Sequence, residues 1–175
     1  MNKEIGRVVC MISFSLPLLV GLTGCATPNG PKFTGTIAPN GGQSMIYVYR
    51  VNFEFGSARK YRVDINGKEA VEIINNSYFY CEVPAGNVSI SLVSPDGMGF
   101  GFDESKKLTI KGPASADEVI YVKAHQVATV EWPNKVFTTY LKAVSADVAL
   151  SEMKELRMSL ADGSKHTSSP CATSR

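Results

Sequence analysis

Histidine is almost missing from this chain: His125 and His166 are the only 2 among 175 residues. Few side chains are therefore available to exchange a proton near neutral pH, and no Cys, Asp or second His stands at metal-ligand spacing from His125. A dominant charge is missing too. Lys and Arg number 18 against 16 Asp and Glu, and without a basic cluster nothing draws nucleic acid. The apolar run from Val8 to Leu22 is broken by Pro17 and Gly21 and is shorter than the roughly 20 residues that span a bilayer. Gly97-Met98-Gly99-Phe100-Gly101 lacks the lysine and Ser/Thr of a phosphate loop, and no helical pattern follows it. These absences predict a chain that is not an enzyme, with no catalytic residue, no metal site and no nucleic-acid partner.

What is present begins at the front. Lys3 and Arg7 precede the apolar run, which is the order of an export signal, and Leu22-Thr23-Gly24-Cys25 closes it. Read from the residues alone, cleavage falls at Gly24-Cys25 or at a nearby small residue that would leave Cys25 an ordinary thiol. The four residues resemble the lipobox of bacterial lipoproteins. That resemblance implies a leader over 1–24, cleavage between Gly24 and Cys25, and lipidation of Cys25 by a thioether-linked diacylglycerol and an N-acyl chain. No other cofactor is implied. Several acyl chains hold a protein to a membrane durably, since each buried CH2 contributes about 0.8 kcal/mol. Ala26 stands where an aspartate would retain many such proteins at the inner membrane, so the resemblance implies the outer membrane, facing the periplasm.

Without the leader about 150 residues remain, enough for one domain with its own core. Residues 25–44, rich in Pro, Gly, Thr and Asn, read as a flexible tether. Residues 45–144 read as the β-sandwich domain. Met45 to Val51 is β-branched and aromatic on both faces and predicts a central strand covered on two sides. Around Asn66-Gly67, a three-residue loop pairing Asp64 with Lys68, Lys60 with Glu72 and Tyr61 with Val71 is favoured; a two-residue loop would set Val71 opposite Arg62. Further short strands follow at 78–83, 87–93, 107–111, 118–124, 127–131 and 136–144, each bounded by turn residues. Residues 145–162 read as a helix with Ser145 as cap and Ala149, Met153, Leu156 and Leu160 as its buried stripe, ended by Gly163. Residues 163–175 read as a disordered tail. The expected fold is all-β, an antiparallel sandwich of about seven to nine strands with one C-terminal helix packed on it.

A wider resemblance covers residues 45–144. Ile46-Tyr47-Val48-Tyr49-Arg50, Gly56-Ser57-Ala58, Ile65-Asn66-Gly67, Ser77-Tyr78-Phe79, Pro84-Ala85-Gly86 and Ile120-Tyr121-Val122-Lys123 resemble the uncharacterised domain-of-unknown-function family 2846 of small bacterial lipoproteins. It implies a sandwich-like all-β fold in the cell envelope and carries over no catalytic residue.

Three features are candidates for contact. Met98, Phe100 and Phe102 sit on a glycine-rich loop and either meet a partner or fold back onto the sandwich. Tyr47, Tyr49, Tyr61, Tyr78, Tyr80 and Tyr121 would make an aromatic face, although strands favour tyrosine anyway. Cys81 and Cys171 would pair in an oxidising envelope, or Cys81 would be buried as a small apolar residue. His125 is expected in a loop between strands. Two functional readings follow: a membrane-anchored sandwich that binds another envelope component, a protein above all, or one that holds a small ligand, lipid or glycan between sheet and helix. The second requires an apolar pocket beneath the helix. Oligomeric state is left open.

Overall fold

The computed structural model describes residues 27–54, 57–94, 108–131, 134–160 and 171. The expectations placed on Gly24, Cys25, Met98, Phe100, Phe102 and His166 fall outside the described residues. In chain order the elements are β1 (Gln43–Arg50), β2 (Tyr61–Ile65), β3 (Lys68–Ile73), β4 (Ser77–Pro84), β5 (Gly86–Val93), β6 (Leu108–Ala114), β7 (Val119–Glu131), β8 (Asn134–Val144), α1 (Ala146–Met153) and β9 (Arg157–Met158). They form two sheets, ordered β8-β7-β1-β4-β9 and β3-β2-β5-β6. Among the described residues the fold is all-β with one helix packed against it.

β1 lies at the centre of the five-stranded sheet and is buried on both faces. Ile46 and Val48 face the second sheet, and with Phe79 and Val122 of their own sheet they meet Val63, Ile73, Ile90 and Leu92 of the other in a continuous core. Met45, Tyr47 and Tyr49 face the other way and pack with Ala149, Met153 and Leu156. A period of two with apolar residues at every step allows only this double burial. Pairing is antiparallel except that β1 runs parallel to β7 and β4 parallel to β9. The crossover from β1 to β7 passes through the second sheet, so the chain can return in the same direction.

Part of the expected tether is packed. Phe33 is buried with its ring edge-on to Tyr47 and Tyr78, at centroid distances of 6.1 and 5.4 Å. The Ile37 amide donates to the Tyr47 hydroxyl at 2.8 Å, and the Thr36 and Tyr121 hydroxyls lie 2.6 Å apart. The outer face of β1 is too apolar to stay wet, and this strap covers what α1 leaves open. Gly30 is required where the strap crosses β9, since a Cβ there would collide with the Met158 carbonyl.

The helix is shorter than its apolar spacing predicts. It ends at Met153, and Ser145 occupies the cap position without a side-chain cap bond. Leu156 is buried as expected, but outside the helix. The reason is main-chain pairing: Arg157 and Met158 pair with Ser77 and Tyr78, the Ser159 amide donates to the Tyr78 carbonyl, and Gly30 and Met158 bond on the other side. Continued helix would leave the edge of β4 and the strap without these partners. The helix therefore does not reach Gly163.

The β2-β3 hairpin also differs from the expected register. Asn66 and Gly67 have φ of 50° and 79° and form a two-residue turn that pairs Ile65 with Lys68. The register then shifts between Val63 and Asp64, so that Val63 meets Val71 and Tyr61 meets Ile73. A bulge at Ala70 thus does what the longer loop was expected to do, bringing the apolar residues to one face. Asn66 is free to dock on β5, where its side chain accepts from the Ser89 amide at 2.9 Å.

At the tail, Cys171 is linked to Cys81, with Cα atoms 5.6 Å apart across a sequence separation of 90 residues. The tail is thus tied at this residue to a cysteine of the inter-sheet core.

Two outcomes follow. Deleting Ala70 makes the β2-β3 ladder regular with every apolar pair kept, and urea unfolding should stay cooperative; deleting Glu72 turns Ile73 outward and should abolish it. Cys171→Ser should lower stability by about 2–4 kcal/mol, read as the difference between denaturation curves without reductant.

Candidate functional site

β7 and β8 form the longest pairing in the structure, running without a shift from Tyr121↔Val144 to Glu131↔Asn134. Tyr121 shares the outer face with its β1 partner Tyr47, so alternation puts Lys123 and His125 there too. The register sets Lys123 opposite Lys142 and His125 opposite Tyr140. Val148 of α1 rises beside them, and together with Leu141 and Val144 these residues line an open groove of about 440 Å³. Tyr140 is 51% exposed and Val148 44%, which makes them two of the three large apolar side chains most exposed among the described residues.

An acid stands beside Lys123 of the groove. Glu152 of α1 accepts from Lys123 Nζ at 2.6 Å and from the Tyr49 hydroxyl at 2.6 Å. Burial pushes its carboxyl pKa up, but the hydrogen bonds from Lys123 and Tyr49, with the charges of Lys123 and His125, outweigh this and hold it below the ordinary value. Tyr49 is shifted up by burial and by the same carboxylate. Among the described residues His125, Tyr140 and Lys142 make no side-chain hydrogen bond or ion pair. The groove is therefore cationic and apolar at once.

His125 stands within β7 and not in a loop. The two expected strands are one because β8 pairs with both. No group of three or more His, Cys, Asp or Glu suited to a metal gathers among the described residues.

The tyrosines divide. Tyr61 lies in the inter-sheet core, whereas Tyr47, Tyr49, Tyr78, Tyr80 and Tyr121 share the outer face with ring contacts such as Tyr47–Tyr121 at 5.5 Å. Phe33 and α1 cover that face, and Tyr78 is pushed up to about 12 by burial first and by the neighbouring phenols Tyr80 and Tyr47 second. It is packing and not an open platform. Beneath α1, Tyr49, Ala149, Met153 and Leu156 are fully buried, so side chains fill the space that a ligand between sheet and helix would need.

A second polar cluster lies inside the sandwich. Arg50, 1% exposed, donates to the Arg59 carbonyl at 2.6 Å and to Gln126 Oε1 at 2.9 Å, with its guanidinium 5.1 Å from the Tyr61 ring centre. Gln126 donates in turn to the Tyr61 hydroxyl at 2.9 Å. Burial lowers the Arg50 pKa from its ordinary value. The cluster joins the two sheets at one end, with Arg50, Gln126 and Tyr61 all buried.

No family model, curated protein or solved structure matches the chain.

Sequence reasoning passed over Lys123, Tyr140, Lys142 and Val148. A strand over 136–144 puts Tyr140 and Lys142 on one face, but only the register with β7 sets them against His125 and Lys123.

Because the folded pKa of Glu152 is depressed, its contribution to stability is present above the ordinary carboxylate range and is lost as pH falls through the folded value. Glu152→Gln should therefore cost about 1–2 kcal/mol at neutral pH, and the gap from the natural chain should close in acid, as read from melting temperature against pH.

Proposed function

We propose that the chain is a lipid-anchored cell-envelope protein whose β-sandwich turns over no substrate and binds another envelope component, a protein, at the groove between α1 and β8. The observation that carries the anchoring is Leu22-Thr23-Gly24-Cys25 directly behind a charged and then apolar leader. The resemblance of residues 45–144 to an envelope lipoprotein domain is in keeping with it. A disulfide between Cys81 and Cys171 suits an oxidising compartment. The contact reading is supported by the exposed Tyr140 and Val148 set in a concave surface beside Lys142, which has no ion pair among the described residues. The absence of an aspartate after Cys25 supports the outer membrane as the location.

The reading is tested in two arms. Intact-mass and peptide mass spectrometry of the protein from bacterial envelopes should show a chain beginning at Cys25 with diacylglycerol and an N-acyl group. An intact leader, or a free thiol at that terminus, would falsify the anchoring. Crosslinking in intact cells, followed by pull-down from detergent-solubilised envelopes, should return one protein repeatedly, less of it with a Cys25-free soluble form. Capture of nothing reproducible ends the partner-binding reading.

A further inference from the structure

We propose that the partner docks as an extended acidic segment, added as a strand along the outer edge of β8 with its acidic side chains over the groove. The inference rests on the partner-binding reading and names the chemistry of the partner.

The edge comes first. β8 ends the order of its sheet, each of its 11 residues is paired with β7 with no bulge, and among the described residues no strand pairs with its other side, although β6 of the second sheet comes near it. The other edges are blunted. β9 has 2 residues and is bonded by the strap, β3 carries a register shift, and β6 contains Gly112 and Pro113. A long regular edge leaves a row of amides and carbonyls that a further strand satisfies, which is why edges are usually short, bulged or covered. Strand addition is an established mode of peptide recognition and takes its affinity from those main-chain bonds.

Charge selects the occupant. Lys123 and Lys142 are directly opposite, a placement that costs stability when nothing intervenes. Glu152 compensates Lys123, at 2.6 Å, and also interacts with the charge of His125, which leaves Lys142 without an acid among the described residues. A carboxylate on an added strand beside Lys142 completes the pair. Side chains on that strand return to the same face every second residue, so the next one lies beside Tyr140. There the exposed ring and nearby Val148 favour an apolar or aromatic neighbour. The segment is thus one in which acidic and apolar residues recur at i and i+2.

The test uses the purified full chain in detergent and fluorescein-labelled peptides in which threonine alternates with glutamate and phenylalanine. Fluorescence anisotropy should show binding that Lys142→Glu weakens by about tenfold or more and Tyr140→Ala by several-fold, with circular dichroism confirming that both variants fold. Replacing glutamate by lysine in the peptide should abolish binding, as should N-methylation of its backbone. The proposal is overturned if the acidic peptide does not bind, if the lysine peptide binds as well, if N-methylation has no effect, or if Lys142→Glu changes nothing. It is also overturned if phosphatidylglycerol vesicles, and not the peptide, recruit the Cys25-free form in a Lys142-dependent way. Should envelope pull-down with Lys142→Glu still return the same protein, strand addition at this edge fails while partner binding stands.

Discussion

The two-sided burial of β1 is the constraint from which the architecture follows. One face of the strand needs a second sheet, and the other needs a lid. The second sheet is supplied by the β2-β3 and β5-β6 pairs, between which the chain passes back through β4. The lid is assembled from the two ends of the domain, since α1 and the 30–37 strap both press on Tyr47, Tyr49 and Tyr78. Each large side chain removed from water on these faces stabilises the fold by about 1.5–3 kcal/mol, more than the local preferences of helix or turn can oppose. Helix and strap yield accordingly: α1 stops where the chain must extend to pair as β9, and an apparent linker gives up its freedom.

The lid is incomplete toward β8, and that is where the groove lies. α1 crosses the sheet over Tyr49 and ends its cover at Val148, while β7 and β8 continue past the end of β1. Lys123 is held at the boundary by Glu152, which also receives the Tyr49 hydroxyl, so the groove wall is tied to the core through one carboxylate. A polar cluster fully inside the sandwich behaves differently. Arg50 is enclosed by a carbonyl, an amide and a tyrosine ring and serves to join sheets. The same residue types thus divide by exposure, into a structural cation within and candidate contact cations without.

Several elements were legible because a local pattern was enough to specify them. Met45 to Val51 announced a strand dry on both faces, and Val88, Ile90 and Leu92 alternate into the core as their spacing required. The β2-β3 hairpin shows the limit of the method. Its apolar residues were correctly assigned to one face, yet the geometry that brings them there was not, because a bulge and a longer loop solve the same register problem and differ only in backbone. His125 was misread for a related reason. A polar pair, His125-Gln126, interrupts an apolar run, and nothing local tells whether the strand breaks or whether Gln126 turns inward to meet Arg50 and Tyr61.

By itself the sequence determined the class of fold, the central strand and the apolar positions Ala149 and Met153 that α1 presents. All of these depend on periodicity or on short contiguous motifs, which act over a few residues. The tertiary structure alone decided that β1 and β7 run parallel, that the strap and β9 close one edge, that Cys171 reaches Cys81, and that Lys123, His125, Tyr140 and Lys142 share a groove. Each is a meeting of residues far apart along the chain, chosen by how buried faces and main-chain hydrogen bonds are satisfied together, and no local pattern encodes that choice.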